Sequence, residues 1–61
     1  MLHLSEVLMK NHDLSSFEQL KVKVREEAQQ GQMFFDMDVK PPFDDTPADW
    51  ETQLEIAFTS R

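Results

Sequence analysis

Ser15-Ser16-Phe17-Glu18-Gln19-Leu20-Lys21-Val22-Lys23-Val24-Arg25-Glu26-Glu27-Ala28-Gln29-Gln30-Gly31 is the stretch on which the fold turns, because it carries two incompatible periodicities. At about 100° per residue, Phe17, Leu20, Val24 and Ala28 fall into one narrow apolar stripe, with Glu18, Lys23, Arg25 and Glu26 facing away. At 180° per residue, Leu20-Lys21-Val22-Lys23-Val24 alternates as a strand would. A strand here would pair as a hairpin with residues 33–39, where Met33, Phe35, Met37 and Val39 also alternate, and would set Lys21 and Lys23 opposite Asp36 and Asp38. The helix reading prevails. Ser15 and Glu18 have capping-box spacing, glutamate and glutamine favour helix, and Gly31 supplies a C-terminal stop.

Outward from this helix, Leu4, Val7, Leu8 and Asn11 share one side of a shorter amphipathic helix over residues 4–11, with Asn11 to Leu14 as the turn between the two. Toward the C-terminus, Pro41-Pro42 forbids helix and forces an extended passage through Phe43, Asp44 and Asp45. Thr46 as N-cap, Pro47 at the first helical position and Asp49 three residues after the threonine predict a third helix, with Trp50, Leu54, Ala57 and Phe58 as its apolar face. The expected fold is therefore mainly α: a small bundle of two to three short helices, in one domain over residues 1–61. Residues 32–45 form an extended or partly ordered acidic connection. The alternative is an α+β fold with a hairpin at residues 20–25 and 33–39.

Size and charge narrow the function. With 61 residues and no cysteine, the chain has neither room for a second core nor disulfide or thiolate-metal support. Its hydrophobic share is 39%, and ordering so short a chain requires nearly all of that to be buried. Leu2, Met9, Val22 and Ile56 lie off the main faces of their helices, so they are expected to form a self-association surface, most simply in a homodimer.

The net charge is −6, and residues 32–61 hold seven of the twelve acidic groups against two basic ones. Direct nucleic-acid binding is disfavoured in such a chain, because that affinity comes from Lys and Arg displacing counterions. Lys21, Lys23 and Arg25 make the one basic patch, with Glu18, Glu26 and Glu27 near enough to neutralise it. No apolar run approaches the ~20 residues of a membrane span, and the N-terminus lacks the pattern of a signal peptide, so a cytoplasmic location is expected.

Catalytic candidates are sparse: Ser15 and Ser16 read as caps, while His3 and His12 lie near a chain end and in a turn. No enzymatic activity is expected. Asp36-Met37-Asp38 and Asp44-Asp45 lack the glycine and distal glutamate of a calcium loop, and two histidines without cysteine are too few for a structural zinc site, so no metal or other cofactor is expected. The acidic-aromatic stretch from Phe34 to Trp50 is the candidate partner-binding region. Phe43 and Trp50 would be its anchors, and Asp44 and Asp45, with Asp36, Asp38 and Asp49, would steer a protein that has a basic surface.

Three segments together give the chain a family look: the Met1-Leu2-His3-Leu4-Ser5-Glu6 helix, the capped Ser15-Ser16-Phe17-Glu18-Gln19-Leu20 helix, and the Pro41-Pro42-Phe43-Asp44-Asp45 linker into a tryptophan-bearing helix. The chain resembles the small accessory proteins that lambdoid bacteriophages encode between the exonuclease and excisionase genes. The resemblance implies a non-enzymatic regulator, directed at a host protein in the host cytoplasm, that influences the choice between lysis and lysogeny. It carries no site residue. The competing reading is a nucleic-acid-linked regulator, either a DNA mimic or a dimer presenting the Lys21 to Arg25 flank to DNA. A third is an antitoxin-like subunit that orders on its partner.

Overall fold

The computed structural model describes residues 1–60 and contains three helices, α1 (Leu4–Lys10), α2 (Phe17–Gln29) and α3 (Trp50–Thr59), with two very short strands, β1 (Leu2–His3) and β2 (Phe35–Asp36). The fold is a mainly α small bundle. Segment 20–25 is wholly helical, so the hairpin alternative does not form. Lys21 and Lys23 pair instead along their own helix, with Glu18 at 3.1 Å and Glu26 at 3.2 Å.

The stripe expected on α2 is the one buried: Phe17, Leu20, Val24 and Ala28 are all at or below 2% exposure. They pack chiefly against Leu54, Ala57 and Phe58 of α3. Leu4 and Val7 of α1 close the core, and Leu8, Leu14, Phe35, Met37, Phe43 and Trp50 pad its margin. Phe35 stacks on Phe58 with ring centres 5.2 Å apart, a contact worth about 0.5–1.5 kcal/mol beyond the area it buries. Gly31 follows α2 at φ 102°, where a residue bearing Cβ is strained, and its N–H donates to Ala28 O.

Two helix starts differ from expectation. The N-cap of α2 is Ser16, whose hydroxyl accepts from Gln19 N–H; the Gln19 side chain accepts from Ser15 N–H and hydroxyl. The box is therefore Ser16 to Gln19, one residue beyond Ser15 to Glu18, because glutamine at the third helical position reaches back as well as glutamate does. At α3 the helix begins at Trp50, later than the Thr46-Pro47 signal implies. The Thr46 hydroxyl donates to Pro41 O and so ties the connecting loop instead of capping. Turns closed by Thr46 N–H to Phe43 O and Trp50 N–H to Pro47 O take up the intervening residues.

The strands are the least expected feature. β1 and β2 pair in parallel, with Leu2 opposite Phe35 and His3 opposite Asp36. The alternating segment 33–39 thus finds its backbone partner in the chain's first residues rather than in residues 20–25. Leu2 is accordingly a core residue at 6% exposure, which removes it from any self-association surface. Burial follows from the pleat: Leu2 and Phe35 point inward, so their neighbours point out.

Candidate interaction surface

The outward face of the β1–β2 pair gathers side chains from both ends of the register. Met1 and Phe34 are 70% and 65% exposed, and Leu2 N–H donates to Phe34 O at 2.9 Å, which holds the two segments side by side; Met33, just before Phe34, is 72% exposed. Next along the same face come His3 and Asp36, with Nδ1 3.3 Å from Oδ2. Asp38 follows, and its carboxylate accepts from Ser5 N–H at 3.0 Å and from the Ser5 hydroxyl at 2.7 Å. These two bonds hold the Asp38 carboxyl below its ordinary value of 3.8, the hydroxyl having the larger effect and the backbone N–H the next. The register thus sets exposed Met1 beside exposed Phe34, with His3, Asp36 and Asp38 further along the pair.

The residues assigned to partner binding from sequence are dispersed by the fold. Phe43 and Trp50 are half-buried against the core, so most of each ring is spent on packing. Asp45 caps α2 from a distance: its Oδ1 accepts from Phe17 N–H at 2.8 Å. Asp44 is exposed beside it, and Asp49 holds Gln53 along α3 at 2.9 Å. Of the self-association set, Met9, Val22 and Ile56 are 69%, 55% and 56% exposed. Ile56 borders a shallow groove of about 150 Å³ between α2 and α3, lined also by Lys21, Arg25, Gln53 and Ala57. Lys21 leans over the Phe17 ring, 5.8 Å from its centre.

Reading by sequence made no use of Met1 and took Phe34 only as the boundary of the acidic-aromatic stretch, not as an anchor. The signal was present: if Phe35 and Met37 face inward, period two sends Phe34, Asp36 and Asp38 outward together. Among the described residues no helix is long and apolar enough to cross a membrane. Comparison with family models, with curated proteins and with solved structures gives no match.

Proposed function

We propose that this chain is a non-enzymatic, protein-binding regulator that docks through Phe34, with Met1 beside it, on a partner whose surface is apolar at the centre and basic at the rim. The observation that supports this most is the outward Phe34 at 65% exposure, flanked by the Asp36 and Asp38 carboxylates. An exposed aromatic beside an exposed thioether side chain is costly in water and adaptable against a partner, and carboxylates further along the pair steer a basic surface toward it. The phage-like character of the sequence makes a host protein the natural target, with control of lysis and lysogeny as the process. A second reading follows from Val22 and Ile56, exposed on the two helices that face each other across the groove: these residues cover one another in a homodimer.

The test starts by identifying what co-purifies with the tagged protein and then measures binding between the two purified components. Phe34→Ser is expected to weaken binding about 30-fold or more, the effect of a hot spot of ~2 kcal/mol. Charge reversal at Asp36 slows association and flattens its salt dependence. Wild-type affinity in Phe34→Ser overturns the proposal. For the dimer, sedimentation of wild type and Ile56→Ser decides: a monomeric wild type at micromolar concentration removes it.

A further inference from the structure

His3, Asp36 and Asp38 come together only in the folded chain. Each offers one ligand atom, and these atoms all lie within 4.8 Å of one another. From the set of one imidazole nitrogen and two carboxylate oxygens, we propose that His3, Asp36 and Asp38 form a binding site for a divalent first-row transition ion such as Zn²⁺.

The distances support a shared ion. Zn–N and Zn–O bonds of about 2.0–2.2 Å at tetrahedral angles put neighbouring ligand atoms roughly 3.4 Å apart. The His3 Nδ1 to Asp36 Oδ2 separation is 3.3 Å, so this pair already stands as two ligands of one ion would. The Asp38 ligand atom lies within 4.8 Å of the other two, and Ser5 N–H and hydroxyl, bonded to Oδ1 and Oδ2, fix that carboxylate while each oxygen keeps a lone pair to offer.

The chemistry selects among ions. An imidazole nitrogen beside two carboxylates suits zinc, manganese or cobalt, whereas calcium and magnesium prefer all-oxygen shells. Coordination through Nδ1 requires that nitrogen to be unprotonated, with the ring proton on Nε2, so binding is expected to weaken as pH falls. Three protein ligands leave at least one position for water. The sequence concealed the site because His3 is separated from the two aspartates by more than thirty residues, and only the β1–β2 register aligns them.

Titration of the full chain with ZnCl₂, followed by calorimetry and by NMR, tests the assignment. One equivalent is expected to bind, with resonances of His3, Asp36 and Asp38 moving and those of His12 unmoved. His3→Gln and Asp36→Asn should each weaken binding at least about tenfold, and Ser5→Ala about 10- to 100-fold through the lost orientation of Asp38. Mg²⁺ should leave the spectrum unchanged. Zn²⁺ is the probe because it accepts imidazole and carboxylate ligands together at the separations observed here. Absence of saturable binding at millimolar Zn²⁺ overturns the proposal. So does wild-type affinity in a His3→Gln variant whose circular dichroism is unchanged.

Discussion

Replacing Asp45 with alanine removes the acceptor that holds Phe17 N–H at 2.8 Å across 28 positions of sequence. Phe17 opens α2, the helix that supplies four core residues, so its orphaned N–H sits at the most consequential helix start in the molecule. Losing a side-chain cap costs about 0.5–2 kcal/mol, and losing a carboxylate from the positive end of a helix about 0.3–1 kcal/mol more. Ser16 continues to accept from Gln19 N–H, which limits the loss to about 1–2 kcal/mol. In a domain of this size each kcal/mol moves the midpoint by roughly 4–8 °C, so Asp45→Ala should melt about 5–15 °C below wild type by circular dichroism. Asp45→Asn keeps an acceptor and should lose less. Asp44→Ala, next along the exposed loop, should stay within about 0.5 kcal/mol. If Asp45→Ala and Asp44→Ala melt together at the wild-type temperature, the long-range cap contributes nothing and the account of α2 is wrong. The same measurement decides whether a binding defect in an Asp45 variant reports a contact or merely a loosened helix.

Asp38 contributes acid sensitivity to the β1–β2 region. Because Ser5 lowers its folded value below 3.8, the stability it adds is present above about pH 4 and is lost as pH falls through the lower folded value. Asp38→Asn should therefore flatten the acid limb of a urea-stability profile, and an unchanged limb would refute the linkage. Leu54→Ala should cost about 3 kcal/mol by denaturant titration, enough to unfold much of a chain this small, while Ile56→Ala, two residues away on the exposed side, should stay near wild type. Gly31→Ala places a Cβ where nothing lies within 4 Å, so only backbone strain acts, and a loss of about 1–2 kcal/mol is expected from the same titration; a neutral result would mean the positive φ is not held.

The helices were legible because their signals are local. The Phe17, Leu20, Val24 and Ala28 stripe and the Leu54, Ala57 and Phe58 face follow from spacing alone, and tertiary packing obeyed them. Caps were legible only to within a few residues, since Ser15 and Ser16 both precede a glutamate or glutamine at the right distance and Thr46 had a competing acceptor in Pro41. What the sequence did not expose was every pairing over long range. Segment 33–39 announced that it needed a partner, yet nothing in its alternation distinguishes residues 20–25 from residues 2–3. That single ambiguity hid the burial of Leu2, the capping of α1 by Asp38, and the joint outward placement of Phe34, Asp36 and Asp38. Asp45 escaped notice for the same reason: a cap donated from another loop leaves no trace in the helix's own sequence.

The clasp between Ser5 and Asp38 joins positions 33 apart, and this separation has a consequence during synthesis. The segment Leu2–Lys10 leaves the ribosome well before β2 exists to receive it, so Leu2, Leu4 and Val7 travel unsheltered while α2 is already complete. Closing a loop of that length is entropically opposed, and the clasp cannot form until Asp38 has emerged. A chaperone or protease meeting the chain in that interval would find Leu2, Leu4 and Val7 uncovered.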